Sequence, residues 1–284
     1  MKALSRFFGV LLILASAYRI DAQFITGSLG DFQMDETALY TMTKQMSQFM
    51  SRFNYEEDQY GTKINPNSPD YHNADKRKTV LPLLFDMDNP RTAGSLRDYF
   101  IEDVTGKNVQ GLEFLGGQWY AEVSAKFMWK GRPVDISLIM AIQEEGLGSK
   151  WVISNVFFSE FQQLFPQGEL AEKEKHFLHP MSHELDFMNI YKVFKDPQII
   201  EYYASTKYQP DYLTLFFYEI KKGNLVFDSV DKVKFHIFQI KNWYFEISWF
   251  DRAGYNSGWL ISNLVYLNET EKEALIKIYQ PHSF

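Results

Sequence analysis

Three carboxylates stand out because each interrupts a strand-like run of apolar residues. They are Glu122 in Trp119-Tyr120-Ala121-Glu122-Val123, Asp135 in Val134-Asp135-Ile136-Ser137, and Glu246 in Trp243-Tyr244-Phe245-Glu246-Ile247. On a sheet that lines a pocket, such a group is a ligand contact or a general base; on a half-exposed sheet, alternation turns it to solvent. His236 is a further candidate base, on a strand where a lone histidine also serves structure. His176, His179 and His183, the last beside Glu184, have a spacing that would gather three imidazoles near one side of a helix for Zn²⁺ or Cu²⁺. Pro180 interrupts that helix and no H-E-x-x-H is present, so a solvated junction competes with a metal site. Asp86, Asp88, Asp98, Glu102 and Asp103 gather around a Pro-started helix, where the first two suit the helix dipole.

Other chemistries lack their residues. There is no cysteine, which removes thiol nucleophiles, disulfides and Cys-ligated metals. No G-x-S-x-G, phosphate loop or dinucleotide glycine fingerprint occurs, and no cofactor is implied. Aromatic residues are abundant, with six Trp, 17 Tyr and 25 Phe, and every Trp falls on a predicted strand. Rows of Trp on an exposed sheet stack on sugars or anchor a protein partner; otherwise they fill a core. Trp151 and Trp259 therefore join Glu122, Asp135 and Glu246 as candidate ligand-binding residues.

These residues sit on elements that occur twice. Trp151-Val152-Ile153-Ser154-Asn155-Val156 matches Trp259-Leu260-Ile261-Ser262-Asn263-Leu264, and upstream Val134-Asp135-Ile136-Ser137 matches Phe245-Glu246-Ile247-Ser248. Each pair reads as strand, Gly-containing turn, strand. A competing alignment pairs Trp119-Tyr120-Ala121-Glu122-Val123 with Trp243-Tyr244-Phe245-Glu246-Ile247; the first is preferred because it keeps one strand–turn–strand order in both halves. Helices repeat too. Leu39, Met42, Met46, Phe49, Met50 and Phe53 share one face, and Leu185, Met188, Tyr191 and Phe194 share another. Asn89-Pro90 and Asp196-Pro197 are matching helix starts.

The copies differ. The first carries a polar loop over 55–79, which includes the basic run Lys76-Arg77-Lys78, read as solvated. The second has an extra hairpin, with strands Tyr212 to Ile220 and Leu225 to Val230 about a Lys221-Lys222-Gly223-Asn224 turn, followed by a strand Val233 to Ile240. A terminal helix is expected from Glu269 to Tyr279.

The first residues read as an export signal. Lys2 and Arg6 precede a short apolar run from Phe7 to Leu14, and small residues offer cleavage after Ala17 or Ala22. The run is too short to span a bilayer, so no membrane span is expected after cleavage. Exported eukaryotic domains commonly use disulfides, so their absence points to a bacterial periplasmic or released protein. A net charge of −7 gives no positive field for nucleic acid.

Helices followed by a bent antiparallel sheet, twice over, resemble the NTF2-like superfamily of cone-shaped domains. The resemblance rests on the helix from Met34 to Phe53, the Asn89-Pro90 and Asp196-Pro197 helices, and the strands led by Trp151 and Trp259. It implies an α+β fold of two tandem units, each with helices packed on a curved antiparallel sheet. The layout is 1–22 signal, 23–165 first unit, 166–181 connector and 182–284 second unit. The expectation for function is a non-catalytic module that binds a small molecule or protein. The alternatives are an isomerase, dehydratase or hydrolase using a carboxylate or His in one cone, and metal binding by the connector histidines.

Overall fold

Strand β1 (Trp119–Trp129) shows how the sheet is organised. Trp119, Ala121, Ala125 and Phe127 are buried on one of its faces, while Tyr120 and Glu122 alternate onto the other. Both faces of this strand are partly covered, so its sequence is apolar at nearly every position near Trp119. The computed structural model describes residues 45–106, 110–146, 148–165, 175–178, 187, 189–254 and 256–281.

Five further strands complete one antiparallel sheet: β2 (Arg132–Glu145), β3 (Gly148–Phe157), β4 (Leu225–Ile237), β5 (Trp243–Phe250) and β6 (Gly258–Tyr266). The order is β3-β2-β1-β4-β5-β6, so three strands from each half of the chain meet at the β1–β4 pair. The result is an α+β fold with a single six-stranded sheet.

The first face is covered at one end by α1 (Met46–Asn54), a 3₁₀ turn at Leu81–Leu84 and α3 (Ser95–Thr105). Phe49, Phe53, Phe85 and Phe100 pack there on Trp243, Phe245 and Ile247. At the other end α4 (Ser159–Leu164) and α5 (Tyr212–Lys221) bury Phe161 and Phe216 against Phe127, Ile136 and Val156. The second face carries the terminal helix α6 (Glu269–Tyr279), whose Leu275, Ile276 and Tyr279 lie on Tyr120, Ile139, Phe238 and Tyr244. The expected bounds of α6 hold, and a capping box between Asn268 and Glu271 fixes its start.

The Ile-Ser-Asn repeat has a structural meaning. Ser154 is the extra residue where Ile139 pairs Asn155 and Met140 pairs Ile153. Ser262 is the extra residue where Glu246 pairs Asn263 and Ile247 pairs Ile261. Two β-bulges thus sit at matching points of the two hairpins, and each grips another element. Ser154 Oγ donates to Tyr279 O at 2.9 Å and Asn155 Nδ2 to Ile278 O at 2.7 Å, while Asn89 Nδ2 donates to Ser262 O at 2.7 Å. These pairings place Ile139 and Met140 opposite their bulge where Glu246 and Ile247 stand, so the upstream match of Val134–Ser137 to Phe245–Ser248 is offset by four residues in space.

Three segments differ from the expected elements. Tyr212 to Lys221 is helix α5, not a strand. Asp211 caps it through Oδ1 to Thr214 N at 3.1 Å, and Gly223, at φ 73°, ends it in the left-handed region. Its mixed run of Tyr, Leu and Phe hides the helical period, and the Lys-Lys-Gly-Asn sequence is a helix end, not a hairpin turn. Leu225 to Ile237 is one strand, because bulges at Asp228 and Asp231 absorb the break expected after Val230. Within 55–79, Ala74–Val80 forms α2, and Arg77 from the basic run is buried. Its guanidinium donates to Phe53 O at 2.9 Å, Val104 O at 3.3 Å and Gln110 O at 2.8 Å, and burial lowers it to about 10.

Both Pro-started segments are 3₁₀ turns, Pro90–Thr92 and Pro197–Tyr203, with Asn89 and Asp196 capping the amides of Arg91 and Gln198. The upstream part of the first helix, the start of the helix expected from Ser182 and the export segment lie outside the described residues; where that second helix was expected to continue, Ile190–Lys192 is a 3₁₀ turn that leaves Tyr191 and Phe194 exposed. Among the described residues no helix is long and apolar enough to cross a membrane.

Candidate functional site

The five candidate ligand residues separate into three places. Glu122 and Glu246 meet on the second face, Trp151 and Trp259 lie on the first, and Asp135 stands exposed opposite Lys126.

The first group forms because β1 and β5 both run antiparallel to β4 and carry the same Trp-Tyr-x-Glu sequence. In each copy the Trp enters the helical core, while the Tyr and Glu point to the second face. Tyr120 and Glu246 stand directly across from His236, one on each side. Glu122 lies two residues beyond Tyr120, and Tyr244 two residues before Glu246, so the imidazole meets Glu122 at one end and Tyr244 at the other. His236 Nε2 is 2.9 Å from Glu122 Oε2, and Nδ1 is 2.9 Å from Tyr244 OH. Tyr279 from α6 reaches the same Nδ1 at 3.1 Å.

The outer bonds close the cluster. Tyr244 OH donates to Glu246 Oε1 at 2.8 Å, Ser137 Oγ to Glu122 Oε1 at 3.1 Å, and Lys234 Nζ stands 3.8 Å from Glu246 Oε2. His236 is 3% exposed, whereas the carboxylates of Glu122 and Glu246 reach the surface beside α6. The hydrogen bond from His236 holds Glu122 below the ordinary carboxylate range against the opposing effect of its burial. Burial, then the neighbouring Tyr279 and Glu246, pushes Tyr244 far above the usual tyrosine range; burial also raises Tyr279 and Tyr120. Both hydroxyls at Nδ1 therefore stay protonated. The arrangement orders protons between two carboxylates, and His236 has both ring nitrogens occupied.

The second group is a band of rings across the first face. Trp151 meets Trp119 edge-on at 5.1 Å, Trp119 lies 5.7 Å from Phe235, Phe235 lies 4.9 Å from Trp259, and Trp259 lies 5.4 Å from Trp249. The band draws its rings from five of the six strands, all but β2, and ends at Trp249 on β5. Its ends are open, with Trp151 41% and Trp249 43% exposed, while Trp119 is buried. Val123, Met140, Ile153 and Val233 alternate onto the same face and are half-buried between the two helix-covered clusters.

Asp86 and Asp88 belong to a lock between the β5–β6 turn and the segment before α3. Arg252 donates to Asp86 Oδ1 and to Asp88 Oδ2, each at 2.6 Å, and Asn256 Nδ2 donates to Phe85 O at 2.7 Å. Asp103 accepts from Trp243 Nε1 at 2.8 Å. Of the connector histidines, His176 is ringed by Tyr202 and Tyr203, and His179 and His183 lie outside the described residues. Among the described residues no group of three His, Asp or Glu is placed to hold a metal ion.

Tyr244, Tyr279 and Tyr120 were not singled out from the sequence. The repeated Trp-Tyr-x-Glu was the available signal for the first and third of them, since it appears as the competing alignment of the two halves. Tyr279 had none, because nothing local links the last helix to a strand 43 residues earlier. Comparison of the chain with protein-family models, with curated proteins and with solved structures returns no match, so the geometry itself carries the functional reading.

Proposed function

We propose that this chain is an exported, non-catalytic binding module that takes an apolar ligand or an apolar protein segment on the first face of its sheet. The observation that carries the reading is the ring band, open at Trp151 and Trp249 and floored by half-buried aliphatic side chains between two helical blocks. Neighbouring rings meet at 81°, 48°, 65° and 71°, so they offer edges and slots and no coplanar platform of the kind that stacks on sugar rings. The second face speaks for binding over catalysis as well. Its imidazole, His236, is buried under α6 with both nitrogens engaged, and the carboxylates of Glu122 and Glu246 are tied to His236, Ser137 and Tyr244.

The same reading places two NTF2-like units edge to edge in one sheet. Helices packed on an antiparallel sheet, the matching bulges at Ser154 and Ser262, and the pairing of β1 with β4 support it. The basic start, short apolar run and small residues before Ala17 or Ala22 support export, and the lack of cysteine supports a bacterial envelope setting.

The test uses Nile red, an uncharged apolar fluorophore, with the purified chain at neutral pH. Saturable enhancement that weakens about tenfold in a Trp151→Ala/Trp249→Ala variant of unchanged stability is expected. Equal binding by both proteins would overturn the assignment of the band.

A further inference from the structure

The sheet has a third free edge, and it lies in its interior. Strand β4 pairs with β1 along its whole length, but with β5 only from Lys234 to Ile237. Beyond that point β5 continues into the hairpin that Arg252 ties to Asp86 and Asp88. The β5-side edge of 225–233 therefore has no neighbouring strand among the described residues. The outer edge of β6 is handled differently: Phe85 bridges to Ile261, and Asp86 N donates to Ile261 O at 3.0 Å. On the open stretch every residue from Val226 to Lys232 is exposed, and Val226, Phe227 and Val230 are each more than half exposed. An edge of this kind is a template for another strand.

The residues of the stretch fit a copy of themselves. Two bulges against β1, at Asp228 and Asp231, rephase the strand so that Phe227, Val230 and Val233 all lie on the first face. An antiparallel pair of identical strands has a two-fold axis, and any residue can sit on it. With Val230 on the axis, it meets its own copy, Phe227 meets Val233, and Asp228 meets Lys232. Lys232 has no ion-pair partner among the described residues. The apolar partners share a face, and the charges are opposite in sign. An axis at Ser229 instead sets Phe227 against Asp231 and Asp228 against Val230. An axis at Asp231 sets that carboxylate against itself. Bulges and charges guard sheet edges against indiscriminate pairing, and here they leave one register favourable.

We propose that this edge is a self-association surface: two copies of the chain pair antiparallel through 227–233 of β4, two-fold about Val230. Apolar contact at Val230 and between Phe227 and Val233 supplies the attraction. The two Asp228–Lys232 pairs set the register and reject others. In the dimer the first faces of both sheets lie on the same side.

The test is sedimentation of the purified full chain at neutral pH and low salt, over about a hundredfold range of concentration. A monomer–dimer equilibrium is expected. Asp228→Lys and Lys232→Asp each set like charges opposite one another and should raise the dimer dissociation constant about tenfold, and the double variant should restore it. Because the chain has no cysteine, one introduced thiol reports the register. Val230→Cys should cross-link to its own copy on oxidation, since directly opposed Cβ atoms lie about 4.5–5.5 Å apart. Val226→Cys should not, because the register sets the two thiols roughly 26 Å apart. A chain that stays monomeric throughout would overturn the proposal, including one whose edge takes up a strand of another protein. So would a dimer indifferent to both charge changes, or one that cross-links at Val226 and not at Val230. None of these readouts involves Nile red or the ring band, so failure here leaves the assignment of the band standing.

Discussion

His236 and Glu122, 114 residues apart in the chain, are joined by a 2.9 Å hydrogen bond between Nε2 and Oε2 across neighbouring strands. The bond lowers the carboxyl of Glu122, whose ordinary value is 4.5. A carboxylate depressed by folding contributes stability above its unfolded value and loses it as pH falls through the folded one. Glu122→Gln should therefore cost stability at neutral pH and flatten the acid side of the stability curve below about pH 4.5. Urea midpoints measured from pH 7 downward check it; parallel curves for the two proteins would show that the bond has no energetic weight.

Arg77 donates to three backbone carbonyls from a fully buried position, with its guanidinium 5.3 Å above the Phe53 ring. Replacing it by Leu leaves those acceptors unpaired in the core. A loss of about 3 kcal/mol is expected, since each abandoned buried group costs about 1–3 kcal/mol. Lys76 and Lys78 on the same helix turn outward, and changing either to Ala should alter stability by less than about 0.5 kcal/mol.

Arg252 bonds two aspartates that differ in burial. Asp86 is buried, while the Asp88 carboxylate is 79% exposed. Asp86→Asn should cost about 1–3 kcal/mol and Asp88→Asn under about 1 kcal/mol, because solvent and salt screen the exposed bond. Thermal unfolding of both variants at low and high salt separates them: the small Asp88 effect should vanish with salt and the Asp86 effect persist.

Asp211 caps α5 with one carboxylate oxygen at Thr214 N and the other 2.6 Å from Thr214 Oγ1. Asp211→Ala should lower stability by about 1 kcal/mol and be rescued in part by Asn or Ser. Were the segment a strand, as its aromatic run first reads, the substitution would be neutral and no rescue pattern would appear.

Local signals decided much of this protein. The capping box at Asn268, the caps at Asn89 and Asp196, the apolar face of Met46, Phe49, Met50 and Phe53, and the Trp-led hairpins are each written within a few residues, so helix and strand positions could be read from spacing alone. Even α5 carried its signal in Asp211 and Gly223, although ten helical residues rich in Phe, Tyr and Leu outweighed it. What only the tertiary structure decided is pairing. Strand sequences specify an inward and an outward side, but not which neighbour supplies the next strand. Because β1 pairs with β4, Glu122, His236, Tyr244 and Glu246 become one cluster, and the terminal helix delivers Tyr279 to it. The same pairing sends Trp151 and Trp259 to the opposite face. The Glu122–His236 bond spans 114 residues and the Tyr279–His236 contact 43, and no local periodicity encodes either.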